Sequence, residues 1–83
     1  MKQSYITFRS VTFAQKAERI LKRAGLECTL QRTPKELSQR GCGYCLGLQP
    51  GQIGRAAQLL DAEKVEYGKL YFNNADGYEE IHL

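Results

Sequence analysis

Two cysteines three residues apart, Cys42 and Cys45, are the side chains of this sequence best suited to covalent chemistry. Gly41 and Gly43 flank Cys42, and glycine adopts the backbone conformations of tight turns without steric cost. The pattern therefore predicts that the Cys42 thiol lies on a tightly turned, uncrowded loop. Such a thiol becomes a nucleophile when it loses its proton and forms the thiolate.

Positively charged side chains lie just before this thiol in the sequence, at Lys35 and Arg40. A nearby cation stabilises the thiolate and so lowers the pKa of the thiol. We therefore predict that Cys42 is a reactive cysteine. The candidate binding residues around it are Lys35, Arg40, Gly41 and Gly43.

The cysteine pair does not by itself predict a metal centre. A structural zinc site needs four ligands, and one CxxC pair supplies two. Cys28 and His82 are the other strong candidate ligands, and their spacing fits no zinc motif. We expect neither a bound metal nor another cofactor.

Length and composition predict one small globular domain spanning 1–83, with a core over about 4–72. A hydrophobic content of 42% and a charged content of 25% are typical of folded domains, and the net charge of +3 is too small to indicate a dedicated nucleic-acid binder. No apolar stretch is long enough for a signal peptide or a membrane span. Three cysteines also do not suggest a disulfide framework, so we expect a cytoplasmic protein.

Hydrophobic periodicity predicts a strand over 5–9, then a helix, then a strand over 26–32. The helix is expected to start at Thr12, which with Gln15 makes a capping box, and to end at Gly25. Its apolar side chains recur at helical spacing, at Phe13, Ala17, Ile20, Leu21 and Ala24.

The second half of the sequence predicts a similar order of strands and a helix. Thr33 and Glu36 form a second capping box that opens a short helical turn, which ends at Gly41 at the latest. Ile53, Ala56, Ala57 and Leu60 would form the apolar face of the second main helix. The further predicted elements are a strand over 44–49, that helix over about 50–64, a strand over 67–72, and a turn with either a short strand or a loose tail over 73–83.

The order β-α-β-β-α-β predicts an α+β fold of the ferredoxin-like type, an antiparallel sheet with two helices on one face. Alternation sends Ile6, Phe8 and Tyr44 towards the helices and leaves Tyr5 and Cys45 on the other face. An open sheet face is often covered by a partner, so a homodimer through this face is one expectation.

Several segments resemble the small bacterial and archaeal family of selenium/sulfur carrier protein-like domains. The matching segments are 5–8, 14–18, 33–38 and the Cys42-Gly43 pair, and the resemblance covers about 4–72. It implies that the protein holds a persulfide or selenopersulfide on Cys42 and passes sulfur or selenium between partner proteins. The implied partners are a cysteine desulfurase-like donor and a sulfur or selenium acceptor.

Cys45 is a departure from the single cysteine that is common in this motif. A second thiol three residues away would release a Cys42 persulfide by forming a Cys42–Cys45 disulfide, as a resolving thiol. Alternatively, the pair would act as a CxxC redox module. Thioredoxin-like sites place this motif at the start of a helix, whereas here it precedes a strand, so the context does not favour redox activity.

Two other classes of function remain open. The RNA-recognition motif has the same element order, and the spacing around Gly41, Gly43 and Tyr44 copies its signature, although cysteine replaces a stacking aromatic. RNA binding would need Tyr44 on the open face, which our assignment does not give. A small protein-interaction adaptor is the other alternative. An enzyme is not expected, because the one histidine, His82, is next to the last residue and no carboxylate pair or phosphate loop is visible.

Overall fold

The computed structural model describes residues 3–37 and 43–82, which form an antiparallel sheet covered on one face by helices. In chain order the elements of this part are β1 (Gln3–Phe8), α1 (Val11–Arg23), β2 (Thr29–Arg32), β3 (Tyr44–Leu48), a short 3-10 helix (Pro50–Gln52), α2 (Ile53–Ala62), β4 (Leu70–Asn74) and β5 (Gly77–Ile81). The strands lie in the order β2-β3-β1-β4-β5. The predicted ferredoxin-like arrangement is confirmed, with β5 added beside β4. No helix within these residues is long and apolar enough to cross a membrane.

Helix α1 starts earlier than the sequence predicts. Ser10 has an extended backbone, and its hydroxyl accepts a hydrogen bond from the Phe13 N–H at 3.4 Å. Thr12 already lies inside the helix, so the predicted capping box from Thr12 is wrong by two residues. Serine and threonine are both good N-cap residues, so the local sequence does not decide between Ser10 and Thr12.

The predicted end of α1 at Gly25 is confirmed. Gly25 has a φ of +86°, which a residue with a Cβ adopts only with strain. The Gly25 N–H donates to the Lys22 carbonyl at 3.0 Å, and the Leu26 N–H donates to the Leu21 carbonyl at 2.9 Å. This pair of hydrogen bonds is the Schellman motif, which reverses the chain towards β2.

The core lies between the sheet and the two helices. Its fully buried side chains include Ile6 and Phe8 on β1 and Leu46 on β3. The predicted inner face of α2 is confirmed, since its four apolar residues are all buried. Phe13 departs from the prediction, because its side chain is 37% exposed while Ala14 takes the buried position.

The chain after β4 forms a hairpin, which resolves the two alternatives for 73–83 in favour of a strand. The Asp76 N–H donates to the Asn74 side-chain oxygen at 2.9 Å, and Gly77 has a φ of +124°, so the turn is tight. Strand β4 itself starts at Leu70, three residues later than predicted. The Thr7 hydroxyl accepts the Lys69 N–H at 2.8 Å and thereby interrupts the regular ladder there.

Candidate functional site

The central residues of the predicted site, Arg40, Gly41 and Cys42, lie outside the described residues. Their roles therefore stay predictions. The residue that follows them is well placed: the Gly43 carbonyl accepts the Thr33 N–H at 2.8 Å. This hydrogen bond closes the β2–β3 connection at its base, so Cys42 is bonded directly to a residue held at the end of the sheet.

Lys35 lies in the part of the β2–β3 connection that follows β2, and its side chain is exposed. The chain turns here once, with the Leu37 N–H donating to the Pro34 carbonyl at 2.9 Å. The predicted capping box from Thr33 does not form, because the Thr33 hydroxyl is buried and has no hydrogen-bond partner within the described part of the chain. The Thr33 backbone N–H donates to the Gly43 carbonyl, so it is not available to the Glu36 side chain, as a capping box requires.

Cys45 is fully buried in the second face of the sheet, the face away from the helices. Its Cα lies opposite Thr7 on β1 and opposite Gln31 on β2, and its thiol donates to the Arg32 carbonyl at 3.9 Å. Burial raises the pKa of the Cys45 thiol to about 11, and the neighbouring Thr33 hydroxyl offsets only part of this. In this conformation Cys45 is a protonated, inaccessible thiol.

The turn formed by Thr33–Leu37 covers part of the second face. Tyr5 is only 7% exposed, and its ring centroid lies 5.8 Å from that of Tyr78. Burial raises the pKa of Tyr78, and Tyr5, Glu36 and Cys45 raise it further. A groove of about 600 Å³ runs between this turn and the β4–β5 hairpin.

The predicted composition of the second face is confirmed by the strand register, but the prediction that this face is open is wrong at Tyr5 and Cys45. A homodimer through it stays a prediction. The sequence also does not identify Tyr78 as part of this face. The segment 77–81 has two glutamates in succession and no alternation of polar and apolar residues, so only the pairing of Tyr78 with Asn73 places it there.

Cys28 is 8% exposed and belongs to the core, as predicted. Its thiol lies 4.0 Å from the Glu18 carbonyl. Burial raises the pKa of Cys28, and the negative charge of Glu18 adds to this effect. The Cys28 thiol is therefore also protonated, like that of Cys45.

The structure also bears on the alternatives of RNA binding and metal binding. Tyr44 packs against the core on the helix side of the sheet, and Tyr5 is buried, so neither ring offers the stacking surface of an RNA-recognition motif. Among residues 3–37 and 43–82, no three side chains of His, Cys, Asp or Glu gather closely enough to bind a metal ion.

A comparison with models of protein families matches residues 3–72 to the family described as "Putative Se/S carrier protein-like". The match begins in β1 and ends in β4, so it includes both helices and the β2–β3 connection with Cys42. No match was found among curated proteins or among solved structures.

Proposed function

Because the chain belongs to the Se/S carrier protein-like family, we propose that it carries a single sulfur or selenium atom on Cys42 between two partner proteins. It is a carrier and not an enzyme. The partner that loads it is a cysteine desulfurase-like donor, and a sulfur or selenium acceptor protein unloads it.

One observation supports the choice of Cys42. The chain has three cysteines, and a carrier thiol must reach the active sites of two other proteins. Cys28 and Cys45 are buried and have raised pKa values. Cys42 is the cysteine that remains, and we expect the positive charge of Lys35, exposed on the same connection, to favour its thiolate.

The loading step exchanges one sulfur–sulfur bond for another. The Cys42 thiolate attacks the terminal sulfur of a donor persulfide, the new bond forms to Cys42, and the donor cysteine leaves as a thiolate. The terminal sulfur keeps its oxidation state, so no external oxidant is needed. Unloading is the same reaction with an acceptor thiolate as the nucleophile, and a selenium atom would follow the same path.

The position of Cys45 favours unloading by the acceptor. Release by Cys45 would form a Cys42–Cys45 disulfide and expel hydrosulfide, which needs a Cys45 thiolate within reach of Cys42. In the folded chain Cys45 is fully buried and protonated. A resolving role would therefore require the segments that lie against the second face to move away from Cys45, whereas an acceptor thiolate needs no such opening.

Intact mass spectrometry tests this proposal. The wild type and the Cys42→Ser, Cys45→Ser and Cys28→Ser variants are incubated with inorganic polysulfide, and in parallel with a cysteine desulfurase and cysteine. We expect a reductant-sensitive gain of one sulfur atom that is absent only in Cys42→Ser. Selenium is then tried as the alternative cargo.

Two results would contradict the proposal. If Cys42→Ser gains sulfur as the wild type does, Cys42 is not the carrier. If the wild type instead loses two hydrogen atoms, and either Cys42→Ser or Cys45→Ser prevents this, the pair is a redox dithiol. Circular dichroism of each variant shows whether the fold is retained.

A further inference from the structure

The outward face of α1 carries a row of positive charges. Lys16, Arg19 and Arg23 are all exposed, and their spacing of three and four residues places them on one stripe of the helix. The stripe spans about 10 Å along the helix axis. It points away from the core, because Ala14, Ala17 and Leu21 occupy the opposite side.

No negative charge neutralises this stripe within the described part of the chain. The acidic residue of α1 is Glu18, and it pairs with Lys22 at 3.2 Å, beside the stripe. No carboxylate of residues 3–37 or 43–82 lies within ion-pair distance of the three stripe cations. Three adjacent charges of one sign on an exposed helix repel one another, so a negatively charged partner would stabilise this arrangement.

Charge is also separated across the molecule as a whole. Six of the nine acidic residues fall within 61–80, between the end of α2 and β5: Asp61, Glu63, Glu66, Asp76, Glu79 and Glu80. Helix α1 packs over β1, β2 and β3, whereas β5 forms the opposite edge of the sheet. The resulting field orients an approaching acidic surface towards α1.

An exposed aromatic side chain lies at the start of the stripe. Phe13 is 37% exposed and belongs to the first turn of α1, next to Lys16 around the helix. The strand before it ends at Phe8, which is paired with Tyr44 on β3. The first turn of α1 thus lies at the end of the sheet where the chain enters β3.

We propose that this outward face of α1 docks an acidic helix or acidic strip on the surface of a partner protein, with Phe13 as its apolar contact. Aromatic and arginine side chains are the usual anchors of protein interfaces. A nucleic acid fits less well, because the cations form one short row on α1, while Tyr5 is buried and Tyr44 packs against the core.

This inference rests on the proposed function only for the role of the partner, which is to bring a donor or acceptor group to the end of the sheet where Gly43 enters β3. The docking itself needs no thiol. Cys42→Ser should therefore bind as the wild type does, and this separates the two proposals.

Fluorescence anisotropy with a labelled synthetic helix that carries a row of glutamates and one exposed leucine tests the docking surface. We expect salt-sensitive binding that Arg19→Glu weakens by about fivefold or more. The matched control is Arg55→Glu, the same charge reversal at an exposed position of α2. It should change the affinity much less, and Phe13→Ser should weaken binding without changing its salt dependence.

Three results would overturn this inference. They are a lack of salt-sensitive binding by the wild type, equal losses in Arg19→Glu and Arg55→Glu, and tighter binding of a single-stranded RNA of matched charge through the same residues. If peptide binding is retained while Cys42 accepts no sulfur, the carrier role fails and the docking surface stands.

Discussion

The buried thiol of Cys45 makes the stability of this protein depend on pH in the alkaline range. The ordinary pKa of a cysteine is 9.0, and burial in the second face raises the pKa of Cys45 to about 11. The unfolded chain therefore loses this proton at a lower pH than the folded chain does. Between pH 9 and pH 11 the unfolded state binds fewer protons, so the free energy of unfolding falls as pH rises.

The size of this effect follows from the two pKa values. Each pKa unit corresponds to about 1.4 kcal/mol, so the full difference is about 3 kcal/mol, of which about 2 kcal/mol is lost by pH 10.5. Below pH 9 both states keep the proton, and Cys45 contributes no pH dependence. Replacing Cys45 by alanine removes this titration and leaves a small cavity that costs about 1 kcal/mol.

Urea unfolding of the wild type and Cys45→Ala at pH 7.5 and pH 10.5 measures the difference directly. We expect Cys45→Ala to be less stable than the wild type at pH 7.5 by about 1 kcal/mol. At pH 10.5 the order should reverse, because the wild type loses about 2 kcal/mol that the variant does not. Groups that do not interact with Cys45 titrate in both proteins and cancel in the comparison, whereas Tyr78, whose pKa Cys45 raises, is followed separately by its absorbance.

A neighbouring substitution serves as the control. Thr7→Ala changes the residue opposite Cys45 but removes no titrating group, so its stability difference from the wild type should not vary with pH. If the Cys45→Ala difference is equally constant, Cys45 is not buried as a protonated thiol and the argument against a resolving role fails. Alkylation by iodoacetamide at pH 8 gives a second readout, in which Cys45 should react about 100-fold more slowly than a cysteine with an ordinary pKa.

Further predictions concern packing positions and are also measured by urea unfolding. Gly68→Ala should destabilise the fold by about 1–3 kcal/mol, because a Cβ would lie 2.6 Å from the Thr7 hydroxyl oxygen and 3.2 Å from the Thr7 carbonyl oxygen. An unchanged stability would show that the contact between Gly68 and Thr7 is loose. Gly54→Ala is the matched control within α2, where a Cβ meets open space, and it should stabilise the protein by up to about 1 kcal/mol. Ser4→Ala should cost about 1 kcal/mol, since the buried Ser4 hydroxyl donates to the Leu48 carbonyl at 2.9 Å, and a neutral result would mean that this hydrogen bond adds nothing to stability.

The two helices and the order of the first six main elements along the chain follow from local patterns that the sequence carries. The apolar spacing in α2 predicts its buried face correctly, and Gly25 predicts the end of α1, because both features depend on residues within a few positions of one another. The family resemblance carried by short segments agrees with the family match over residues 3–72. Local patterns do not predict that Ser10 and not Thr12 is the N-cap of α1, because both residues are good N-caps.

The sequence by itself determined the two-helix sheet fold, the core position of Cys28 and the contrast between the inward and outward faces of β1 and β3, because side-chain periodicity encodes them. Only the tertiary structure decided the state of Cys45. Alternation correctly placed this thiol on the face away from the helices, but whether that face meets water depends on a segment from elsewhere in the chain. The turn after β2 and the β4–β5 hairpin line one groove on this face, and Tyr5 is buried there as well. On the same face the Cys45 thiol is fully buried and has a raised pKa.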